Sequence, residues 1–459
     1  MKSGRRSLRH RLVALAALWT LAPVAAFAQS AGQRRLFGGD AQPGHRPEAD
    51  LTVSLSSGRD DDLGADLGTG LSHGLAPIAG RYSVLDTSLS VLRQRRTVAF
   101  GIHAASTGRY YPTLDSFLGS SHSVAADVTV NAGRRTLIRT TVDGEFVSSL
   151  AFDTLSRRTL DELSPQGGSA PNSGTLGIEA SSLGSAWTSY GAAAALDRFV
   201  GKHASLSVTG GVRSSQRTLT GERVDEHQVA AQFERAVGRT ALVRFGYSIR
   251  QGTERLGQFD TPILNHEAQV SVQREWRHSA VRRTAVTVSG GPSLNLQRTP
   301  VGTTLEQTTE QTAPSPDPTA EPNRELRAVG MVALLHDISR SWTARASYRR
   351  GSGVKNAAEF SDIVSLDVRG TVGRRLGLAF AGGYNASDIA VTQLRTRNEI
   401  LFGSARVQFA CTRFVALYSQ YMAYRYDFWS TSGNTVPSQL LDRRGLQVGV
   451  STWMPLKRW

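Results

Sequence analysis

Most residue types that could do chemistry are scattered along this 459-residue chain. No sequence motif joins a histidine to a nucleophilic serine, so we predict that the protein is not an enzyme. Its one cysteine, Cys411, excludes an internal disulfide framework, and no Cys/His cluster has the spacing of a zinc site. We therefore expect no catalytic residue, no metal site and no cofactor.

Arginine is the exception, because several arginines alternate with apolar residues along predicted strands. A guanidinium group keeps its charge and binds carboxylate or phosphate in a bidentate way, so a cavity lined by arginines would favour anions. The candidate pore-lining residues are Arg139, Arg244, Arg345, Arg349, Arg369 and Arg406, with Asp127 and Asp367. The alternative is that each arginine is neutralised by a carboxylate on the same face, such as Asp127, Asp143, Glu234, Glu267 or Asp367.

The elements that must position these side chains read as β-strands. From about residue 50 onward apolar residues recur at every second position, as in Ala241, Val243, Phe245, Tyr247 and Ile249. This period of two gives a strand one apolar and one polar face. The 45 glycines disfavour a helical protein, because glycine is costly inside helices. The pattern predicts an all-β chain of about eighteen strands, within a range of sixteen to twenty.

The predicted connections between strands alternate between tight and long. The tight ones lie at 94–96, 133–134, 199–201, 238, 277–280, 339–340, 372–373 and 411. The longer ones lie at 58–80, 108–120, 149–184, 215–224, 252–263, 298–323, 352–357, 387–395 and 428–441. Short turns on one rim and long loops on the other are typical of an up-and-down antiparallel barrel that spans a membrane.

The two longest internal connections differ in composition. The 298–323 segment is rich in Thr, Pro and Glu and is expected to be a mobile external loop. The 149–184 segment carries more apolar residues and is the better candidate for a loop that folds inward. Aromatic residues near strand ends fit interfacial girdles, namely Tyr110, Tyr111, Trp276, Trp342, Tyr424, Tyr426, Phe428, Trp429 and Trp453.

The N-terminal segment has the order of a secretory signal peptide. Five basic residues precede an apolar stretch from Leu12 to Leu21, and Ala26-Phe27-Ala28 supplies a small-residue cleavage site. We predict a signal peptide at 1–28, a short periplasmic segment at 29–49 and a barrel at 50–459. Loss of 1–28 lowers the formal net charge from +15 to about +10. Export of the chain argues against nucleic-acid binding. The arginines are also spread along the sequence, whereas nucleic-acid-binding proteins cluster their basic residues on one face.

With these features the chain resembles a Gram-negative outer-membrane β-barrel, porin-like in its general pattern. Its last strand runs Leu446, Val448, Val450, Thr452, Met454 and Leu456, but the terminal Trp459 is out of phase with that apolar row. Length and basic charge are similar to the barrel group associated with exopolysaccharide loci. The resemblance implies outer-membrane localisation, and outer-membrane lipid and the barrel-assembly machinery as partners. A barrel of about eighteen strands is wide enough for an aqueous lumen, so we expect passage of polar solutes, with anionic solutes or polysaccharide as narrower readings. The alternative is a structural or adhesion barrel with an occluded lumen.

Overall fold

The computed structural model is a closed barrel of eighteen antiparallel β-strands. It describes residues 49–61, 79–112, 117–148, 186–217, 223–256, 259–279, 281–297, 323–352, 360–391, 394–430 and 439–457. The strands are β1 (Ala49–Asp60), β2 (Gly80–Gln94), β3 (Val98–Tyr111), β4 (Phe117–Asn131), β5 (Thr136–Val147), β6 (Trp187–Phe199), β7 (Ala204–Arg217), β8 (Arg223–Val237), β9 (Ala241–Leu256), β10 (Phe259–Arg277), β11 (Arg283–Gln297), β12 (Asn323–Asp337), β13 (Trp342–Ser352), β14 (Phe360–Val372), β15 (Leu376–Val391), β16 (Leu394–Ala410), β17 (Val415–Ser430) and β18 (Gln439–Lys457).

Each strand pairs with its two sequence neighbours, and β1 pairs with β18 to close the cylinder. Following the pairing register once around the barrel returns to β1 displaced by about 22 residues. With strands about 4.8 Å apart, this stagger gives a strand tilt of about 40° and a backbone radius of about 18 Å. A radius of that size leaves room for a lumen inside the ring of side chains.

All eighteen predicted strands are present, and the expected fold class is confirmed. The loops at 252–263 and 387–395 were predicted too long. Strands β9 and β10 pair as far as Leu256 and Phe259, and β15 and β16 pair as far as Val391 and Leu394. The apolar alternation stops earlier in these hairpins, whereas the backbone pairing continues through polar sequence. The predicted signal peptide at 1–28 and nearly all of the loops at 149–184 and 298–323 lie outside the described residues.

The two rims differ in their connections. The turn-side rim carries the connections at 95–97, 132–135, 200–203, 238–240, 278–282, 338–341, 373–375 and 411–414. Two of these turns place a glycine in left-handed backbone, Gly238 at φ 70° and Gly373 at φ 66°, a conformation that side chains with a Cβ adopt at a cost. The strand ends at the opposite, loop-side rim are separated by the longest stretches of sequence, including 61–79, 148–186 and 298–322.

The barrel is apolar outside and polar inside. Exposed large apolar side chains occupy alternate positions around the wall, for example Leu55, Val142, Val229, Leu366 and Val448. The residues between them point inward, and many of these buried residues are polar. The alternation read from the sequence therefore separates exterior from interior rather than core from solvent. Among the described residues, no helix has the length and apolar character needed to cross a membrane.

The seam between β1 and β18 is locked by inward polar side chains. Arg443 Nε donates to Asp60 Oδ1 at 2.9 Å and Nη2 donates to Asp60 Oδ2 at 2.6 Å, in a pair that is almost completely buried. Further along the seam, Ser54 Oγ donates to Ser451 Oγ at 2.9 Å and Gln447 Nε2 donates to Ser56 Oγ at 2.5 Å. These bonds join residues nearly the whole chain apart. The Arg443 guanidinium points inward because Arg443 alternates with the exposed residues Asp442 and Arg444 along β18.

Inward aromatic rings lie over glycines on neighbouring strands beside this seam. Tyr82 covers Gly58 from one side, and Tyr418 covers Gly449 from the other. A Cβ at Gly449 would lie 2.5 Å from Ser56 Cβ and 2.8 Å from Tyr418 Cζ. Such aromatic coverage of a glycine packs the strand surface where the glycine has no side chain of its own. Small seam residues and flanking rings therefore form one tightly packed wall.

We predict that Asp60→Asn strongly destabilises the barrel, because it removes the negative charge that both Nε and Nη2 of the buried Arg443 guanidinium contact. Removing one partner of such a pair costs about 3–5 kcal/mol. The measurement is the urea concentration at which half of the protein has unfolded, followed by the loss of the folded-barrel band on gels of unboiled samples. The control is Asp337→Asn, whose pair with Arg283 at 3.0 Å is partly exposed and should contribute no more than about 1 kcal/mol. Equal shifts for the two variants would contradict the prediction.

We predict that Gly449→Val lowers the same midpoint, whereas Gly403→Val leaves it nearly unchanged. Both glycines lie inside strands, but nothing lies within 4 Å of a Cβ built at Gly403. Overpacking at Gly449 should cost about 1–3 kcal/mol. If the Gly449 variant is as stable as the Gly403 variant, the rings do not pack against the seam as described.

Candidate functional site: a charge-segregated lumen

The eight candidate pore-lining residues all lie at positions that alternate with the exposed apolar residues, on the inner face of the wall. Asp127 is on β4 and Arg139 is on β5. The others are on β9, β13, β14 and β16, namely Arg244, Arg345, Arg349, Asp367, Arg369 and Arg406. The structure thus gathers five of the six arginines and Asp367 on one half of the cylinder and places Arg139 and Asp127 on the other.

Several of these arginines form ion pairs with inward carboxylates. Arg139 Nη2 lies 2.7 Å from Asp197 Oδ2, Arg244 Nε lies 2.8 Å from Glu234 Oε2, and Arg369 Nε lies 2.8 Å from Asp367 Oδ1. On β7, Arg213 pairs with Asp143 at 2.7 Å. The neutralised arrangement, which the sequence left open, therefore applies to at least these three of the six candidate arginines.

Charge is divided between the two halves of the inner face. Among the described side chains, the inner face of β2 to β8 carries seven carboxylates, which are Asp86, Asp127, Asp143, Glu145, Asp197, Glu226 and Glu234, against three arginines, which are Arg109, Arg139 and Arg213. The inner face of β9 to β16 carries nine arginines, which are Arg244, Arg250, Arg277, Arg283, Arg327, Arg345, Arg349, Arg369 and Arg406, against five carboxylates, which are Glu267, Glu275, Glu325, Asp337 and Asp367. An acidic wall thus faces a basic wall across the lumen.

Two residues of opposite charge make no ion pair with any described residue. Arg250 on β9 has no described carboxylate at ion-pair distance, and its Nε is buried without a hydrogen-bond partner. It interacts electrostatically with Arg349, which is also influenced by Glu267. Asp127 on β4 packs its carboxylate against Gly101, opposite in register. Neither charge is therefore neutralised by an ion pair in the described part of the chain.

A third stretch of the inner face, around the seam, is packed rather than open. The Arg406 guanidinium lies 4.3 Å from the centroid of the Tyr418 ring, and Arg109 lies 4.5 Å from that of Tyr82. Tyr111, Tyr424 and Trp453 are also buried on this inner face. Their predicted place in an outer interfacial girdle was wrong, because parity along the strand turns them inward. Tyr110 and Trp276 do lie exposed on the exterior.

Exposure varies around the ring in the same way. Inward residues of β17, β18 and β1 are mostly buried, and Ser451 is 0% exposed. Inward residues of β8 to β10 are mostly half-exposed, as Gln232, Ser248 and Gln273 illustrate. Water therefore reaches the side of the lumen that lies away from the seam.

The strand pattern could have located several lining residues that sequence reasoning missed. Arg250 follows Ile249 and therefore lies on the polar face of a strand already recognised, as do Arg213 and Glu226 on theirs. Which arginine meets which carboxylate depends on the register between strands, which a single sequence does not contain. In the described residues no group of three His, Cys, Asp or Glu side chains could hold a metal ion. Cys411 is exposed at a turn.

No protein-family model matches the chain, and no curated protein matches it. Among solved structures it is similar to OccAB3 of Acinetobacter baumannii (TM-score 0.40, 8% identity, covering 90% of this chain and 99% of that one). It is also similar to OccK2 of Pseudomonas aeruginosa in complex with glucuronate (TM-score 0.40, 11% identity, 89% and 98%). A third is the ferric-catecholate import receptor Fiu of E. coli K12 (TM-score 0.42, 8% identity, 89% and 82%).

We predict that thiol reagents distinguish the two sides of the lumen. In a Cys411→Ser background, Ser248→Cys should react with a small charged maleimide in the folded barrel, because the residue is half-exposed inside. Ser451→Cys should react only after unfolding, because the seam excludes water. Mass spectrometry of labelled protein measures both. Rapid labelling at 451, or protection at 248, would contradict the division.

Proposed function

We propose that the protein is an outer-membrane channel that lets small polar solutes cross through its lumen. The observation that carries this proposal is the half-exposed inner wall lined by charges of both signs. Its exterior supports a bilayer location, since a closed barrel satisfies every backbone hydrogen bond and presents apolar side chains to hydrocarbon. Extended contiguous apolar surface of this kind is rare on soluble monomers.

A preference for anions is the narrower part of the proposal, and it belongs to one half of the wall. The arginines of β9 to β16 offer bidentate contacts to carboxylate or phosphate. The carboxylates of β2 to β8 oppose them, so the lumen as a whole is close to neutral. We therefore expect weak net ion selectivity, together with an anion path along the basic wall.

Purified protein in planar bilayers tests the channel directly. Stepwise conductance in potassium chloride supports it, and a folded barrel that never conducts would favour the alternative of a structural or adhesion barrel with an occluded lumen. Exopolysaccharide as cargo, and the absence of enzymatic activity, stay predictions from the sequence. Transport of a polysaccharide is measured separately, by release of the polymer from loaded proteoliposomes.

We predict that Arg250→Gln and Asp127→Asn shift the reversal potential in a salt gradient in opposite directions. Removing Arg250 takes an unpaired positive charge from the lumen and should increase cation preference. Removing Asp127 takes an unpaired negative charge and should increase anion preference. Neither change leaves a described partner charge behind, so the two variants control for each other. Shifts of the same sign would show that these side chains do not act on permeating ions.

A further inference from the structure

Four exposed arginines form a belt on the exterior of the seam, near the loop-side rim. They are Arg425 on β17, Arg444 on β18, Arg59 on β1 and Arg81 on β2. All four have the outward parity of Leu417, Leu446, Leu55 and Leu85 on the same strands. The belt is therefore separate from the lumen and points to whatever surrounds the barrel.

Register places the four side chains side by side. Arg59 is directly opposite Arg81, and it is also opposite Leu446, two residues from Arg444. Arg444 is opposite Ala423, two residues from Arg425. Directly opposite residues have Cβ atoms about 5 Å apart and diagonal neighbours about 7–8 Å apart, so the belt spans about 15 Å.

None of the four belt arginines forms an ion pair with a residue in the described part of the chain. Two other exterior arginines near this rim are paired, Arg223 with Asp225 at 3.0 Å and Arg350 with Asp362 at 3.9 Å. The described carboxylates beside the belt include Asp61, Asp442 and Asp427, and Asp427 lies two residues from Arg425 on the outer face of β17 without an ion pair to it. Asp61 accepts a hydrogen bond from the backbone N–H of Arg444 at 2.6 Å, and Asp442 is opposite Arg425 without an ion pair. Like charges directly opposite each other on a sheet repel, so an anion bound between Arg59 and Arg81 would relieve their repulsion.

The surroundings indicate which anion. Towards the turn-side rim, within four residues of these arginines, the same strands expose Leu55, Leu85, Tyr421 and Leu446. The belt therefore lies where hydrocarbon gives way to headgroups. Guanidinium groups bind phosphate in a bidentate way, and arginine near a membrane surface extends its head towards the headgroup layer.

We propose that this belt is a binding site for a lipid whose headgroup carries phosphate, in the leaflet at the loop-side rim. The acyl chains would lie along the apolar exterior of β17, β18, β1 and β2, and the phosphates would bridge the four guanidinium groups. The proposal rests on the membrane location given under the proposed function, but not on an open lumen.

The test uses full-length protein in neutral detergent with two probes, diphosphorylated lipid A and the same lipid with its phosphates removed. Wild-type protein should bind the phosphorylated probe, measured by native mass spectrometry, and ignore the other. Arg59→Gln with Arg81→Gln should weaken binding by about tenfold or more. Arg198→Gln with Arg235→Gln, which removes two exposed exterior charges at the turn-side rim, should leave it unchanged.

Three results would overturn the proposal. Equal binding of both lipids would show that phosphate is not recognised, and equal loss in both double variants would show a general charge effect. Displacement of the lipid by a few millimolar inorganic phosphate would indicate a simple anion site. Conductance of the Arg59→Gln and Arg81→Gln double variant is recorded in parallel. Because both residues lie outside the lumen, conductance should stay unchanged while lipid binding falls. If the wild-type protein does not conduct, the channel proposal is contradicted, but the lipid-binding result is unaffected.

Discussion

The rest of the structure depends on the need to satisfy backbone hydrogen bonds without water. A sheet that presents apolar side chains to hydrocarbon can have no free edge, because unpaired N–H and C=O groups are costly there. The pairing of β1 with β18 removes the last edge. The buried Arg443–Asp60 pair and the seam hydroxyls are placed where that closure must hold. Every other pair of adjacent strands is consecutive in the sequence. The ion pair of Arg139 between two such strands is less completely buried than that of Arg443 with Asp60.

Once the cylinder is closed, its interior is free to carry charge. Inward positions alternate with lipid-facing ones, so a strand can change its inner residues without changing its outer surface. This freedom is used unevenly, with carboxylates gathered on β2 to β8, arginines on β9 to β16 and rings over the seam. A solute in the lumen would therefore experience a field across the barrel as well as along it. Such a field orients dipolar molecules and gives little overall preference for one ion sign.

The sequence was sufficient for the architecture and for the facing of individual residues, because a period of two is local information. It predicted all eighteen strands and the inward parity of Arg244, Arg349 and Asp127. It failed where local pattern and pairing separate, as in the polar ends of β9 and β10, which stay paired to Leu256 and Phe259. It could not place Arg443 against Asp60 or Arg59 beside Arg444, since both depend on the register of strands at opposite ends of the chain.

The long sequence separation across the seam has a consequence for biogenesis. The partners of β1 are β2 and β18, so one edge of β1 can be paired only after the last strand has been made. An open strand edge presents unpaired backbone N–H and C=O groups that can pair with foreign strands, so we expect the unfinished barrel to need protection from such pairing. Contacts between such distant residues are also slow to form. We therefore expect the pairing of the first strand with the last to be the final step of assembly.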